Sequence, residues 1–280
     1  MILRRLSEQF LEVTLEYEGG QEFDFLIQSD IHFDNPKCQR SLYFKHLDEA
    51  VEREAKILTF GDFFCLMQGR RDRRGSKSGV RPEHNKADYF DRVIFEAEEK
   101  LTPYKDHLIM MGNGNHETAV VKNVETNPLA RLCKYLNRAG SPVEHMPYQG
   151  FIRFKFVKPD GGMVRSALAF FHHGKYGGAV TKGTLGTQRY AVIVPQADLI
   201  FSGHNHERWI NTATQYITKQ TGEVSKRVLH HFNCPTYKDE FTSGDGFGVE
   251  KIVAPKPLGG WWLKLKPMRD GVRIDYSKAD

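Results

Sequence analysis

The chain has 280 residues, 40% of them apolar, and 40 Lys and Arg against 35 Asp and Glu leave a formal net charge of +5. That length supports a sizeable core, the charge is too mild by itself to call for a nucleic-acid partner, and no apolar run approaches the roughly 20 residues of a membrane helix. The arginines within residues 1–10 interrupt the apolar stretch a secretory signal needs, and Cys38, Cys65, Cys133 and Cys234 form no Cys-x-x-Cys pair, so a reduced, cytoplasmic protein is expected.

Leu11, Val13, Leu15 and Tyr17 alternate with polar residues. Past residues 18–21, Phe23, Phe25 and Ile27 alternate again, which predicts a hairpin with one wet face. Its second strand runs into Asp30-Ile31-His32. Phe44, Leu47, Val51, Ala55 and Leu58, spaced by threes and fours, predict a helix over 40–56. A strand at 57–61 follows and ends in Gly61-Asp62, so strand, helix and strand form a βαβ unit. Residues 69–86 have no apolar period and are strongly basic, which predicts a loop. Phe90, Val93, Ile94, Ala97 and Leu101 mark a second helix, stopped by Thr102-Pro103. The apolar run beginning at Leu108 breaks at glycines and presents Asn115, His116 and Glu117.

Asn127 before Pro128 is the pattern of an N-cap with proline in the first turn, and Leu129, Leu132 and Leu136 continue that helix to Gly140. Beyond Ser141 strands dominate. One is expected at 151–156 and another at 163–171, joined by the turn at 158–162, the second ending in His172-His173-Gly174. A glycine- and threonine-rich segment at 177–187 precedes an apolar run that ends in Gly203-His204-Asn205-His206, and further strands are expected at 207–218, 226–233, 260–266 and 271–276. With no linker and no repeat, a single domain over 1–280 is expected, its motif-bearing core at 22–210 and the strands of 211–280 completing a second sheet.

A histidine that caps one strand is as readily a core residue satisfied by backbone. Several apolar runs that each end in Asp, Asn or His point instead to one shared polar site, because ligand loops of open α/β sheets gather at the carboxyl ends of strands. Asp30, His32, Asp62, Asn115, His173, His204 and His206 are oxygen and nitrogen donors suited to divalent manganese, iron or zinc, with no thiolate among them. Seven donors exceed what one open catalytic ion uses and suit two ions about 3.5–4 Å apart that share a carboxylate. His116 is then left over beside a ligand, where a proton donor to a leaving oxygen belongs.

These blocks resemble the calcineurin-like metallophosphoesterases, whose order is Asp-x-His, Gly-Asp, Gly-Asn-His-Asp/Glu, a lone His, and Gly-His-x-His. The chain matches with Asp30-Ile31-His32, Gly61-Asp62, Gly114-Asn115-His116-Glu117, His173-Gly174 and Gly203-His204-Asn205-His206. The resemblance implies a four-layer α/β (α+β) sandwich, two mixed β-sheets flanked by helices, carrying two divalent metal ions, manganese foremost, with iron, zinc or nickel as alternatives. It assigns Asp30, His32 and His206 to one ion and Asn115, His173 and His204 to the other, with Asp62 bridging and His116 acting on the leaving group. His173 is preferred to the adjacent His172 because the family's lone histidine often precedes glycine.

The expected activity is phosphoester hydrolysis by a metal-bridging hydroxide, foremost on a DNA or RNA phosphodiester. The alternative is a small-molecule phosphatase or phosphodiesterase acting on nucleotides. Arg70, Arg71, Arg73 and Arg74 follow soon after Asp62 and are the candidate contacts to nucleic-acid phosphates, while Trp261 and Trp262 are candidates for stacking on bases. A third reading is a nucleic-acid-binding protein with a structural metal site. Protein Ser/Thr phosphatases of the family carry Gly-Asp-x-x-Asp-Arg-Gly, where this chain has Cys65 and Leu66 in place of Asp-Arg, and they have an arginine where it has Asn113. Double-strand-break nucleases of the family usually have an acidic residue or histidine near the position of Cys65. The segments at 234–240 and 256–262 are similar to phage and prophage members, for which a host-cytoplasmic location follows.

Overall fold

The computed structural model describes residues 1–66, 75, 79–175, 180–218, 220–242, 244, 247–250 and 252–280. Two mixed sheets pack face to face. The first orders β1 (Ile2–Ser7), β2 (Phe10–Glu16), β7 (Gln149–Val157), β8 (Arg165–His172), β9 (Leu199–Ser202), β11 (Val224–Asn233) and β10 (Trp209–Thr218). The second orders β13 (Gly271–Ala279), β12 (Gly260–Met268), β3 (Phe23–Gln28), β4 (Lys56–Phe60), β5 (Leu108–Gly112) and β6 (Glu144–Met146). The final strands divide between the sheets, β10 and β11 in the first and β12 and β13 in the second, where completion of one sheet was expected.

The inward residues of both sheets form one apolar layer. Leu11 and Val13 of β2, Phe25 and Ile27 of β3, Phe60 of β4, Phe154 of β7 and Phe201 of β9 are all buried there. The outer face of the six-stranded sheet presents Leu26, Ile57 and Leu108 to α1 (Arg40–Glu52), α2 (Tyr89–Leu101) and α4 (Pro128–Arg138), which cover it with Leu47, Val93, Ala97 and Leu132. The outer face of the other sheet packs Phe170, Ile200 and Leu229 under α5 (Gly186–Ile193). Two mixed sheets flanked by helices is the architecture expected from the sequence.

The predicted hairpin is not present. β2 pairs in parallel with β7 and antiparallel with β1, while β3 pairs in parallel with β4 and antiparallel with β12. Alternation tells which face of a strand is buried, but not which strand lies beside it. Here Leu11 and Val13 meet Phe25 and Ile27 across the gap between the sheets. β3 has no wet face, since Leu26 lies under the helices; β2 keeps part of one, with Glu16 exposed and Thr14 half-buried, while Glu12, 5% exposed, is held by Arg153 at 3.3 Å.

The helix predicted to reach residue 56 ends at Glu52, since Glu54 turns left-handed (φ 54°) and Lys56 already begins β4. At α4 the cap forms as the sequence predicts, the Asn127 side chain accepting from Ala130 N at 3.0 Å. Trp261 and Trp262 are 5% and 4% exposed, one in the core between the sheets and the other under Arg53, so neither is free to stack on a base. No helix among the described residues is long and apolar enough to cross a membrane.

Candidate metal centre

Parallel strands of each sheet bring their carboxyl ends to one edge. β3, β4 and β5 deliver Asp30 and His32, Asp62, and Asn115 with His116; β8 and β9 deliver His173, and His204 with His206. The backbone is strained there. Asp30 (φ 53°), His32 (φ 51°), Asp62 (φ 49°), His204 (φ 70°) and His206 (φ 58°) all take the left-handed conformation, a cost of about 1–3 kcal/mol each that persists only where surrounding structure dictates it. Interlaced loops do so, through Asp30 N to Gly61 O and His32 N to Asp62 O at 3.0 Å each, and Gly203 N to His173 O at 2.7 Å. Gly114 is required for that closeness, because a Cβ there would run into the Asp62 amide and carboxylate.

The side chains converge in two groups. His32 Nε2 lies 3.3 Å from His206 Nε2 and 4.0 Å from Asp30 Oδ1, which is itself 3.2 Å from His206 Nε2. Asn115 Oδ1 lies 2.7 Å from His204 Nδ1 and 3.2 Å from His173 Nε2, and His173 Nε2 is 3.1 Å from Asp62 Oδ2. The halves meet where His173 Nε2 comes within 3.9 Å of Asp30 Oδ1. Possible ligand atoms of Asp30, His32 and His206 lie within 4.8 Å of one another, and so do those of Asp62, His173 and His204.

Neighbours orient this set. Asp30 Oδ2 accepts from Ser29 Oγ at 2.6 Å and His204 N at 2.8 Å, leaving Oδ1 turned to the histidines. His173 donates Nδ1–H to Phe60 O at 2.9 Å, which directs Nε2 inward. His116 donates Nδ1–H to Cys65 O at 2.6 Å, and its Nε2 is 3.9 Å from Asp62 Oδ2. Glu117 accepts from Gly114 N at 2.7 Å, Phe64 N at 2.9 Å and Asp62 N at 3.2 Å, and so clamps the loops after β4 and β5 together. Burial, and then the Asp62 charge, push the Glu117 carboxyl up to about 8.

Burial opposes the charge on Asp30 and Asp62, yet the surrounding histidines hold both carboxyls below the usual range, Asp62 far below it. Burial also opposes a charged His173, but Asp62 and Asp30 outweigh it and raise that imidazole to about 10. His32 is driven far down by burial and by His116, and His204 down by burial and by His173. The site therefore favours positive charge at the point where the carboxylates face each other.

These donors fit divalent ions. Asp30 Oδ1 is buried and makes no hydrogen bond, and the facing nitrogens of His32 and His206 share at most one proton between them, whereas both could donate lone pairs to a cation. Two carboxylates, an amide oxygen and imidazoles, without thiolate, form a set for borderline or hard metals.

His172 stays outside the cluster, with its Nδ1 accepting from Gly174 N at 3.0 Å. Arg70, Arg71, Arg73 and Arg74 lie outside the described residues. Three features escaped the sequence reading: the Glu117 clamp, the Cys65 carbonyl behind His116, and Lys238. Burial opposes the charge on Lys238, but Glu240, at 2.5 Å, sustains it close enough to act on His32. A lone lysine in the 234–240 segment gave no spacing signal that could have revealed it.

No protein-family model matches the sequence, and no curated protein does. Among solved structures the chain is similar to a conserved uncharacterized protein, a predicted phosphoesterase, from Streptococcus pneumoniae TIGR4, at 10% identity and TM-score 0.36 over 93% of this chain and 91% of that one. Vps29 complexed with zinc from Entamoeba histolytica aligns at 9% identity and TM-score 0.34, over 92% of this chain and 100% of that one. GAP50, the anchor in the inner membrane complex of Plasmodium, aligns at 12% identity and TM-score 0.40, over 92% and 85%. Likenesses this remote carry no inference about what this chain does.

Proposed function

We propose that the chain is a metal-dependent phosphoester hydrolase. The observation that carries this is the pair of adjoining clusters, Asp30 with His32 and His206, and Asp62 with His173, His204 and Asn115, beside His116, whose Nδ1–H is held by the Cys65 carbonyl. Asp30, His32 and His206 would hold one ion, Asn115, His173 and His204 the second, and Asp62 would bridge. Two divalent ions, when bound, activate water and neutralise charge on phosphoryl oxygens. The protein's own contribution is positional. The Cys65 carbonyl accepts Nδ1–H of His116 and so turns Nε2 toward the cluster, from which the imidazolium, protonated on both nitrogens, would give a leaving oxygen its proton; the Asp62 carboxylate accepts from His116 N at 2.9 Å, holding that residue against the cluster.

The foremost substrate is a nucleic-acid phosphodiester, supported by the basic run that includes Arg70, Arg71, Arg73 and Arg74. A nucleotide-sized phosphoester is the second reading, favoured by a half-open cavity lined by Gly174 and Gly203, the chain neighbours of His173 and His204. The test is cleavage of labelled single- and double-stranded DNA in manganese, with chelator and folded Asp62→Asn and His116→Ala proteins as controls. Cleavage lost in all three controls supports a nuclease. Intact DNA together with turnover of nucleotides supports the second reading. No turnover of any phosphoester by folded, metal-loaded protein rejects the proposal and leaves a binding protein with a structural metal site, in which Asp62→Asn would unfold the chain.

A further inference from the structure

Between α5 and the ends of β8, β9 and β11 lies a cavity of about 290 Å³, at the small end of the roughly 300–1,000 Å³ of small-molecule pockets. Gly174 and Gly203 form its wall toward the cluster, and each is the chain neighbour of a cluster histidine, His173 or His204. Its base is ordered: His231, buried on β11, holds the Ser202 hydroxyl of β9 and the Thr187 hydroxyl of α5 at 2.8 Å each. Lys175 and Arg189 also line it, and among the described residues no Asp or Glu does. Among the described residues neither cation has a carboxylate or hydrogen-bond partner, and the Tyr190 hydroxyl facing the same space makes no hydrogen bond.

The cavity adjoins the His173 and His204 half of the cluster. His116 is not among the residues that line it: its ring is 4.9 Å from that of His32, and its Nε2 is 3.9 Å from the Asp62 carboxylate between the two halves. A leaving oxygen protonated by His116 departs on the His32 side, so a group in the cavity remains attached to the phosphorus. Two cations with no counter-carboxylate suit an anion.

We propose that this cavity is a subsite for the substituent the scissile phosphate retains, and that it takes a second phosphate, held by Lys175 and Arg189. The inference rests on the phosphoesterase reading of the adjoining cluster. The second phosphate has two possible sources, the neighbouring nucleotide of a strand or the phosphate chain of a free nucleotide.

The test is calorimetric binding of thymidine 3′,5′-bisphosphate and thymidine 5′-monophosphate to the manganese-loaded full chain and to a Lys175→Gln/Arg189→Gln variant. The bisphosphate should bind about tenfold more tightly than the monophosphate, the factor of one charge-assisted hydrogen bond, and the double substitution should erase that preference. Equal binding of the two by the unsubstituted chain, or a preference that survives the substitutions, overturns the proposal. KM values for a thymidine trinucleotide and for thymidine triphosphate separate the sources: a rise in the variant confined to the strand assigns the neighbouring nucleotide, and one confined to the triphosphate assigns the phosphate chain. A bisphosphate preference without hydrolysis of any phosphoester would reject the hydrolase reading while leaving the anion site in place, so the two failures are distinguishable.

Discussion

His116 is oriented by a backbone carbonyl, that of Cys65, and a carbonyl leaves no mark in a sequence. The residue itself was legible as a candidate, since it stands between Asn115 and Glu117 at the end of an apolar run, but its partner was not. The same holds for Glu117, which reads as the last letter of a motif and acts as an acceptor for three amides from two loops. If His116 delivers a proton to the leaving oxygen, His116→Ala lowers kcat by about 10²–10⁴ for an alkyl ester. The loss should shrink sharply for a p-nitrophenyl ester, whose leaving group needs no proton. Steady-state kinetics on both esters checks this, and an equal loss on both would remove His116 from the role of acid.

At the scale of elements, apolar periodicity located most strands and three helices but mispaired β2 with β3, because a buried face looks the same whichever sheet owns the strand. Besides the four-residue helix Phe247–Glu250, two helices were passed over for a different reason. α3 (Asn115–Val124) begins within the ligand motif itself, and its buried residues are only Glu117 and Val120. α5 buries only Thr187 and leaves Val192 and Ile193 exposed, so its sequence lacks an apolar stripe. Beside the packing of Tyr190 and Ala191 on Phe170, Ile200 and Leu229, a polar link holds α5: His231 joins Thr187 to Ser202.

Burial lowers that imidazole from its ordinary 6.5 to about 3. A depressed pKa means the folded state favours the neutral ring, so this contribution to stability is full above pH 6.5 and is lost as pH falls toward 3. Denaturant unfolding between pH 7 and pH 3 should therefore show a steeper acid-side fall in the unsubstituted chain than in His231→Gln. Parallel profiles would show that His231 does not titrate with folding.

For the molecule as a whole, two sheets must converge before the cluster exists, and the strained loops that carry it are held by contacts between β-strand ends far apart in the chain. A cation that binds only this folded arrangement stabilises it by mass action, by about 2.7 kcal/mol at a hundred times its Kd. Manganese should raise the melting temperature of the chain, chelator should reverse the rise, and Asp30→Asn should largely abolish it. A melting temperature indifferent to manganese in the unsubstituted chain would count against the metal centre. The sequence by itself determined which residues could ligate, since donor chemistry and apolar runs that stop at Asp, Asn and His are local properties, and it determined the α/β class through its periods. Only the tertiary structure decided which strands are neighbours, that His173 and not His172 faces the cluster, and where a cavity opens beside it, because each depends on the packing of segments from tens to more than two hundred residues apart, about which local patterns carry no information.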